Sequence, residues 1–177
     1  MRGFQQRGEH EVHRWASFQL VEGEFEAPDG QAFRRTFLRH PGAVAIVAVD
    51  GDEVVLVRQY RPALGVELLE IPAGTLDKGD DETPEGCAVR ELAEEIGATA
   101  RSIEHLATYV VAAGVSSERL HLFVARDLTF GEPAADGVEE QAMTIHRLPL
   151  AGARAAIADG RITDAKTIIG LLLVTPA

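Results

Sequence analysis

The run Ala-Val-Ala-Ile-Val-Ala-Val at 43–49 contains no polar side chain. A strand with one face in water alternates polar and apolar residues. An unbroken run rich in β-branched residues fits a strand buried on both faces. After a turn at "DGDE", VVLVRQY (54–60) reads as a second strand, and "RPALG" loops back to ELLEIP (67–72). Upstream, residues 13–27 and 31–39 read as two extended runs joined at "PDG", a turn signal. "HPG" at 40–42 then punctuates the chain. Downstream, SIEHLATYVV (102–111), ERLHLFVARDL (118–128) and AMTIHRL (142–148) are strand-like. Helices are expected over 149–159, closed by Gly160, and over 164–174, capped by Thr163 or Asp164. Strands and helices mix without regular βαβ alternation. The expected fold is therefore α/β with a mixed sheet, preceded by a small N-terminal antiparallel β region. In residue numbers this gives 1–40 and 41–177.

The clearest helical signal lies between Thr83 and Gly97. Thr83 suits an N-cap and Pro84 the first helical position, where its missing N–H costs nothing. Gly97 supplies the stop. Val89, Leu92, Ala93 and Ile96 recur at helical spacing and predict the core-facing stripe. At about 100° per residue, Glu91, Glu94 and Glu95 then crowd the opposite face. Like charges at this spacing cost about 0.2–0.5 kcal/mol per pair, and only Arg90 lies beside them. One explanation is a solvated face. Another is a metal site, since "LDKGDDE" adds Asp77, Asp80, Asp81 and Glu82 just ahead of the helix. Clusters of oxygen donors suit Mg²⁺ or Mn²⁺. Such an ion would turn repulsion into coordination.

The net charge of −11 argues against nucleic acid as a partner, because phosphate recognition relies on clusters of Lys and Arg. An acidic protein can still bind an anion when a metal ion supplies the positive charge. The single cysteine, Cys87, permits no intramolecular disulfide and fits a reducing compartment. The N-terminal residues lack the apolar run of a signal peptide, and IIGLLLV (168–174) is too short to span a bilayer. A soluble cytoplasmic protein with no membrane partner is expected. The six histidines show no zinc spacing.

The order Gly74, Glu82, Arg90-Glu91-Leu92, Glu94-Glu95, Gly97-Ala98 resembles the Nudix box. Seven residues separate Gly74 from Glu82, more than the family pattern has. The surplus falls in "DKGDD", ahead of the helix, so the helical register is kept. The resemblance implies a Nudix-type α/β/α sandwich and metal-dependent cleavage of a nucleoside diphosphate linked to another moiety. It implies metal ligation by Glu91 and Glu95, with Glu94 assisting, and by the main-chain carbonyl of Ala73. It also implies that Arg90 holds Glu94 or Glu82, and that a general base comes from a loop beyond the box, where "ADGVEEQ" offers Glu139 and Glu140.

The flanks "RHPGAVAIVAVD", "LVRQYRPALG", "ELLEIPAG" and "GRITDAKTIIGLLL" resemble ADP-ribose pyrophosphatases. That likeness implies hydrolysis of ADP-ribose to AMP and ribose 5-phosphate. It implies substrate contacts from Arg58 and Arg61, the latter to the diphosphate or the base, and from Glu70 to the terminal ribose. It further implies a homodimer with the N-terminal β region exchanged between subunits. The sequence departs from the subgroup at Ala112-Ala113-Gly114, where a Pro-Gly pair is expected. GDP-mannose or a UDP-sugar therefore remains an alternative substrate, and a non-catalytic nucleotide sensor an alternative role.

Overall fold

The computed structural model describes residues 3–79, 81–134 and 141–175. The chain forms two compact units, one of Met1–Gly42 with Tyr109–Leu120, the other of Ala43–Thr108 with His121–Ala177.

The first unit holds a three-stranded antiparallel sheet in the order β1 (Gln5–Trp15), β2 (Phe18–Glu26), β3 (Ala32–Arg39). The stretch expected as one extended run from residue 13 is in fact a hairpin. Trp15 pairs with Phe18, and Ala16 makes the turn at a φ of 45°. Alanine carries no turn signal, and its left-handed backbone costs about 1–2 kcal/mol. The turn is imposed by the pairing on either side. The "PDG" turn forms where expected, with Gly30 at a φ of 89°. The segment around residues 112–117 clips onto the end of β3: Leu38 N–H donates to the Val115 carbonyl at 2.8 Å, and Ser117 N–H to the Leu38 carbonyl at 2.9 Å.

The second unit contains a seven-stranded mixed sheet. Its strands are β4 (Ala43–Asp50), β5 (Glu53–Arg61), β6 (Val66–Glu70), β7 (Ala73–Thr75), β8 (Ala98–Val110), β9 (Arg119–Phe130) and β10 (Thr144–Pro149). The main path runs β10-β5-β4-β9-β8, with β6 beside β5 and β7 beside β4. Val44 through Ala48 are fully buried, as an unbroken apolar strand requires. Two layers cover them. Val44, Ile46 and Ala48 share a cluster with Ala88, Leu92 and Ile96 of α1 (Pro84–Ile96). Val47, of opposite parity, packs on Gly170 of α3 (Ala165–Val174). A Cβ on Gly170 would fall 2.7 Å from Val47 Cγ2, so the glycine sets how closely α3 approaches. Each such aliphatic side chain contributes about 1.5–3 kcal/mol by leaving water. Between these helices, α2 (Ala153–Ala158) follows a 3-10 turn at Leu150–Gly152, which shortens the helix expected over 149–159.

The caps of α1 match expectation: Thr83 accepts from Gly86 N–H at 3.1 Å, Pro84 opens the helix, and Gly97 closes it at a φ of 62°. Its buried face does not. Cys87, Ala88, Glu91, Leu92, Glu95 and Ile96 are buried, whereas Val89 is 50% exposed. The carboxylates expected on the open face are thus half turned into the protein. Hydrogen-bond partners on the helix itself and on a neighbouring strand, described below, make that burial tolerable. The α3 cap is Asp164, which accepts from Thr167 N–H at 2.9 Å. Among the described residues no helix is long and apolar enough to cross a membrane.

Candidate active site

A cleft of about 310 Å³ opens where β7 meets α1. Glu91, Glu94 and Glu95 line it together with Ala73 and Gly74. Arg90 sits among them. Its Nε donates to Glu82 at 2.9 Å, and its Nη1 donates to Glu91 at 2.6 Å and to Glu94 at 2.7 Å. Nη2 reaches the Thr75 carbonyl at 3.4 Å and Cys87 Sγ at 3.2 Å. A planar fork with five N–H donors can serve this many acceptors at once, which a lysine could not. Burial works against the Arg90 charge, but the bonds to Glu82 and Glu94 outweigh it and hold the group protonated well above its usual range. Burial likewise pushes Glu82 up, but the Arg90 bond and charge together with the Lys78 and Asp77 amides outweigh it, leaving its carboxyl below the ordinary value. Glu82 thus anchors Arg90 at the rim. Burial raises the Cys87 thiol to about 12, so it stays protonated at neutral pH.

The backbone of β7 comes unusually close to the helix. Glu95 accepts from Ala73 N–H at 3.1 Å, and the Glu91 carboxylate lies against Gly74. Three residues of strand therefore position two carboxylates. So short a segment has no sequence period of its own, and β7 was not anticipated.

A second charged group adjoins the cleft. Arg61 makes a two-pronged contact to Glu70, 2.7 Å from Nε and 2.5 Å from Nη2. Lys166, on the first turn of α3, also binds Glu70 and lies 3.1 Å from Asp164. Glu70 is fully buried. Burial pushes its carboxyl up, but Arg61 and Lys166 outweigh that and hold it below the ordinary value. Glu70, expected to meet a sugar hydroxyl, is here turned to Arg61 and Lys166, not to open solvent. Lys166 carried no local signal, because only the packing of α3 against the end of β6 brings it to Glu70.

Arg58 is not brought to this cleft. It lines a different cavity, with His146 and Arg161. Along a strand, side chains an odd number of positions apart point to opposite faces, and Arg58 and Arg61 are three apart on β5. Glu139 and Glu140 lie outside the described residues.

The donor set fits a hard divalent cation. Glu91, Glu94 and Glu95 are oxygen donors on one wall, and Gly74 leaves no side chain between the β7 backbone and Glu91. As placed, those oxygens are engaged by Arg90 and the Ala73 amide. Among the described residues no group of three acidic, histidine or cysteine side chains is gathered tightly enough to hold an ion.

The NUDIX domain model matches residues 38–165. A methanol dehydrogenase activator of Bacillus methanolicus is 40% identical over 86% of this chain and 82% of its own. An ADP-ribose pyrophosphatase of Bacillus subtilis (strain 168) is 35% identical over 84% of this chain and 80% of its own. The crystal structure of an ADP compounds hydrolase superposes with a TM-score of 0.84 at 26% identity, covering 98% of this chain and 93% of that one. Enzymes of this kind generally use divalent metal ions. With the family model spanning residues 38–165 and the acidic helix set against its glycine strand, this chain belongs to the Nudix family, among its hydrolases.

Proposed function

We propose that the protein hydrolyses the diphosphate of a nucleoside diphosphate sugar, with ADP-ribose cleaved to AMP and ribose 5-phosphate. The observation that carries this reading is the meeting of Glu91, Glu94 and Glu95 in one cleft with the β7 backbone, beside the Arg61 fork. The likeness to the ADP-ribose pyrophosphatase of Bacillus subtilis supports the choice of ADP-ribose. Mg²⁺, or Mn²⁺ in its place, would be held by Glu91 and Glu95, with Glu94 and the Ala73 carbonyl. When bound, the ion neutralises phosphate oxygens and lowers the pKa of a water. Arg61 binds the diphosphate through its free N–H groups, and Glu70 with Lys166 fixes its direction. Arg90 keeps Glu91 and Glu94 aligned between turnovers. Glu139 or Glu140 takes the proton of the attacking water. As the water oxygen bonds to one phosphorus, the phosphoanhydride bond to that phosphorus breaks, and its electron pair leaves with the other phosphate. A homodimer exchanging its N-terminal sheets, working in the cytoplasm, completes the proposal.

The test is incubation with Mg²⁺ and a panel of ADP-, GDP- and UDP-linked sugars, following AMP, GMP and UMP. AMP release from ADP-ribose is expected. Preferential GMP or UMP release would reassign the substrate, and no release from any compound would leave a nucleotide-sensing module. If neither Glu139→Gln nor Glu140→Gln slows turnover, the base lies elsewhere.

A further inference from the structure

The cavity that receives Arg58 measures about 250 Å³. Leu56, Ala156 and Ile162 contribute its apolar floor, and Arg58, His146, Arg147 and Arg161 its polar wall. No acidic side chain lines it among the described residues, although acids outnumber bases 28 to 17 in the chain. Two of the three arginines are already engaged. Arg147 reaches Asp50 at 2.6 Å and lies over the Phe130 ring, and Arg161 is chelated by Asp159 at 2.8 Å. Arg58 differs. Its one side-chain partner among the described residues is His146 Nε2, 3.4 Å from its Nε and therefore at long range. His146 Nε2 is also 3.0 Å from Thr144 Oγ1. Among the described residues neither terminal nitrogen of Arg58 has an acceptor, so both can serve one from outside. A partly buried cation beside an apolar floor is costly without a counter-charge. A planar guanidinium fork matches the oxygens of a phosphate group.

We propose that this cavity is a second binding site, separate from the carboxylate cleft, for a small phosphomonoester. The phosphate would sit on the Arg58 fork with Arg161 adding charge, and a short carbon skeleton would lie on Leu56 and Ile162. Size supports this class. At about 30 Å³ per water in the liquid, the cavity has room for a phosphate and a few carbons.

The experiment is amide NMR of the full chain without divalent metal, titrated with inorganic phosphate in one arm and glycerol 3-phosphate in the other. Saturable shifts are expected at Arg58, His146, Ala156 and Ile162. Tighter binding of the ester places its carbons on the apolar floor. Equal binding keeps the site and makes free phosphate sufficient. Arg58→Gln should weaken binding at least ~10-fold, the loss of one charge-assisted contact, and Arg161→Gln more modestly, providing a check if the first variant folds poorly. Shifts confined to Gly74 and Glu91, an affinity unchanged in both variants, or no saturable shift would overturn the proposal. Because no metal and no turnover are involved, its failure is distinct from failure of the hydrolase reading.

Discussion

Gly74 and Glu91 occupy adjoining space that admits no further atom: a Cβ built on Gly74 would lie 1.7 Å from Glu91 Oε1. A methyl group there forces either β7 or the Glu91 carboxylate to move. Gly74→Ala should therefore lower kcat/KM by ~100-fold, the size of loss that a misplacement of about 1 Å can cause. Steady-state kinetics on the preferred substrate at saturating Mg²⁺, with a circular dichroism check of folding, measures this. Full activity would show that Glu91 need not hold its present position.

Arg90 donates hydrogen bonds to three carboxylates at once. Arg90→Ala would leave Glu82, Glu91 and Glu94 facing one another partly out of water. A loss of about 2–4 kcal/mol is expected, read as a shift in the urea midpoint. Arg90→Lys should recover only part of it, because one ammonium cannot span the three acceptors. Added Mg²⁺ should stabilise Arg90→Ala more than the parent.

Stability should fall with acid through Glu70. Its carboxyl is held below the ordinary value, so the folded state favours the ionised form. That contribution is complete above the unfolded value of about 4.3 and is lost as pH drops through the lower folded value. Urea midpoints measured from neutral pH down to pH 3 should decline in this window, and the decline should be shallower in Glu70→Gln. An identical slope in the variant would remove Glu70 as the source.

Glu95→Gln keeps the shape of the side chain and removes its charge. Turnover should fall at least ~100-fold, and the Mg²⁺ concentration needed for half-maximal rate should rise. The thermal midpoint should change little, because a Gln amide oxygen can still accept from Ala73 N–H. A metal titration of rate, run beside a melting curve, separates these effects.

Much of this arrangement was legible in the chain itself, for local reasons. The apolar run at 43–49 admits few readings, and Thr83, Pro84 and Gly97 each act within a turn of where they stand. What escaped depends on partners distant in sequence. Glu91 and Glu95 are expected on the face opposite the core stripe because a two-letter pattern counts every carboxylate as polar. Their burial rests on Arg90 and on the amide of Ala73, which the pattern cannot weigh. Val89 was assigned to the core on the same grounds. The Ala16 turn has no turn residue, and Lys166 meets Glu70 across 96 positions.

On α1, Ala88, Leu92 and Ile96 each immediately follow a residue that faces β7 or the cleft, namely Cys87, Glu91 and Glu95. The placement of the cleft's carboxylates and the interior packing are therefore geared to a single rigid rod. Rolling that rod by about 20° would sweep its Cα atoms by about 0.8 Å, given their 2.3 Å radius. An enlarged or trimmed residue at position 88 or 92 would accordingly reach the chemistry as misalignment, with catalysis dimming while the molecule still melts as one piece.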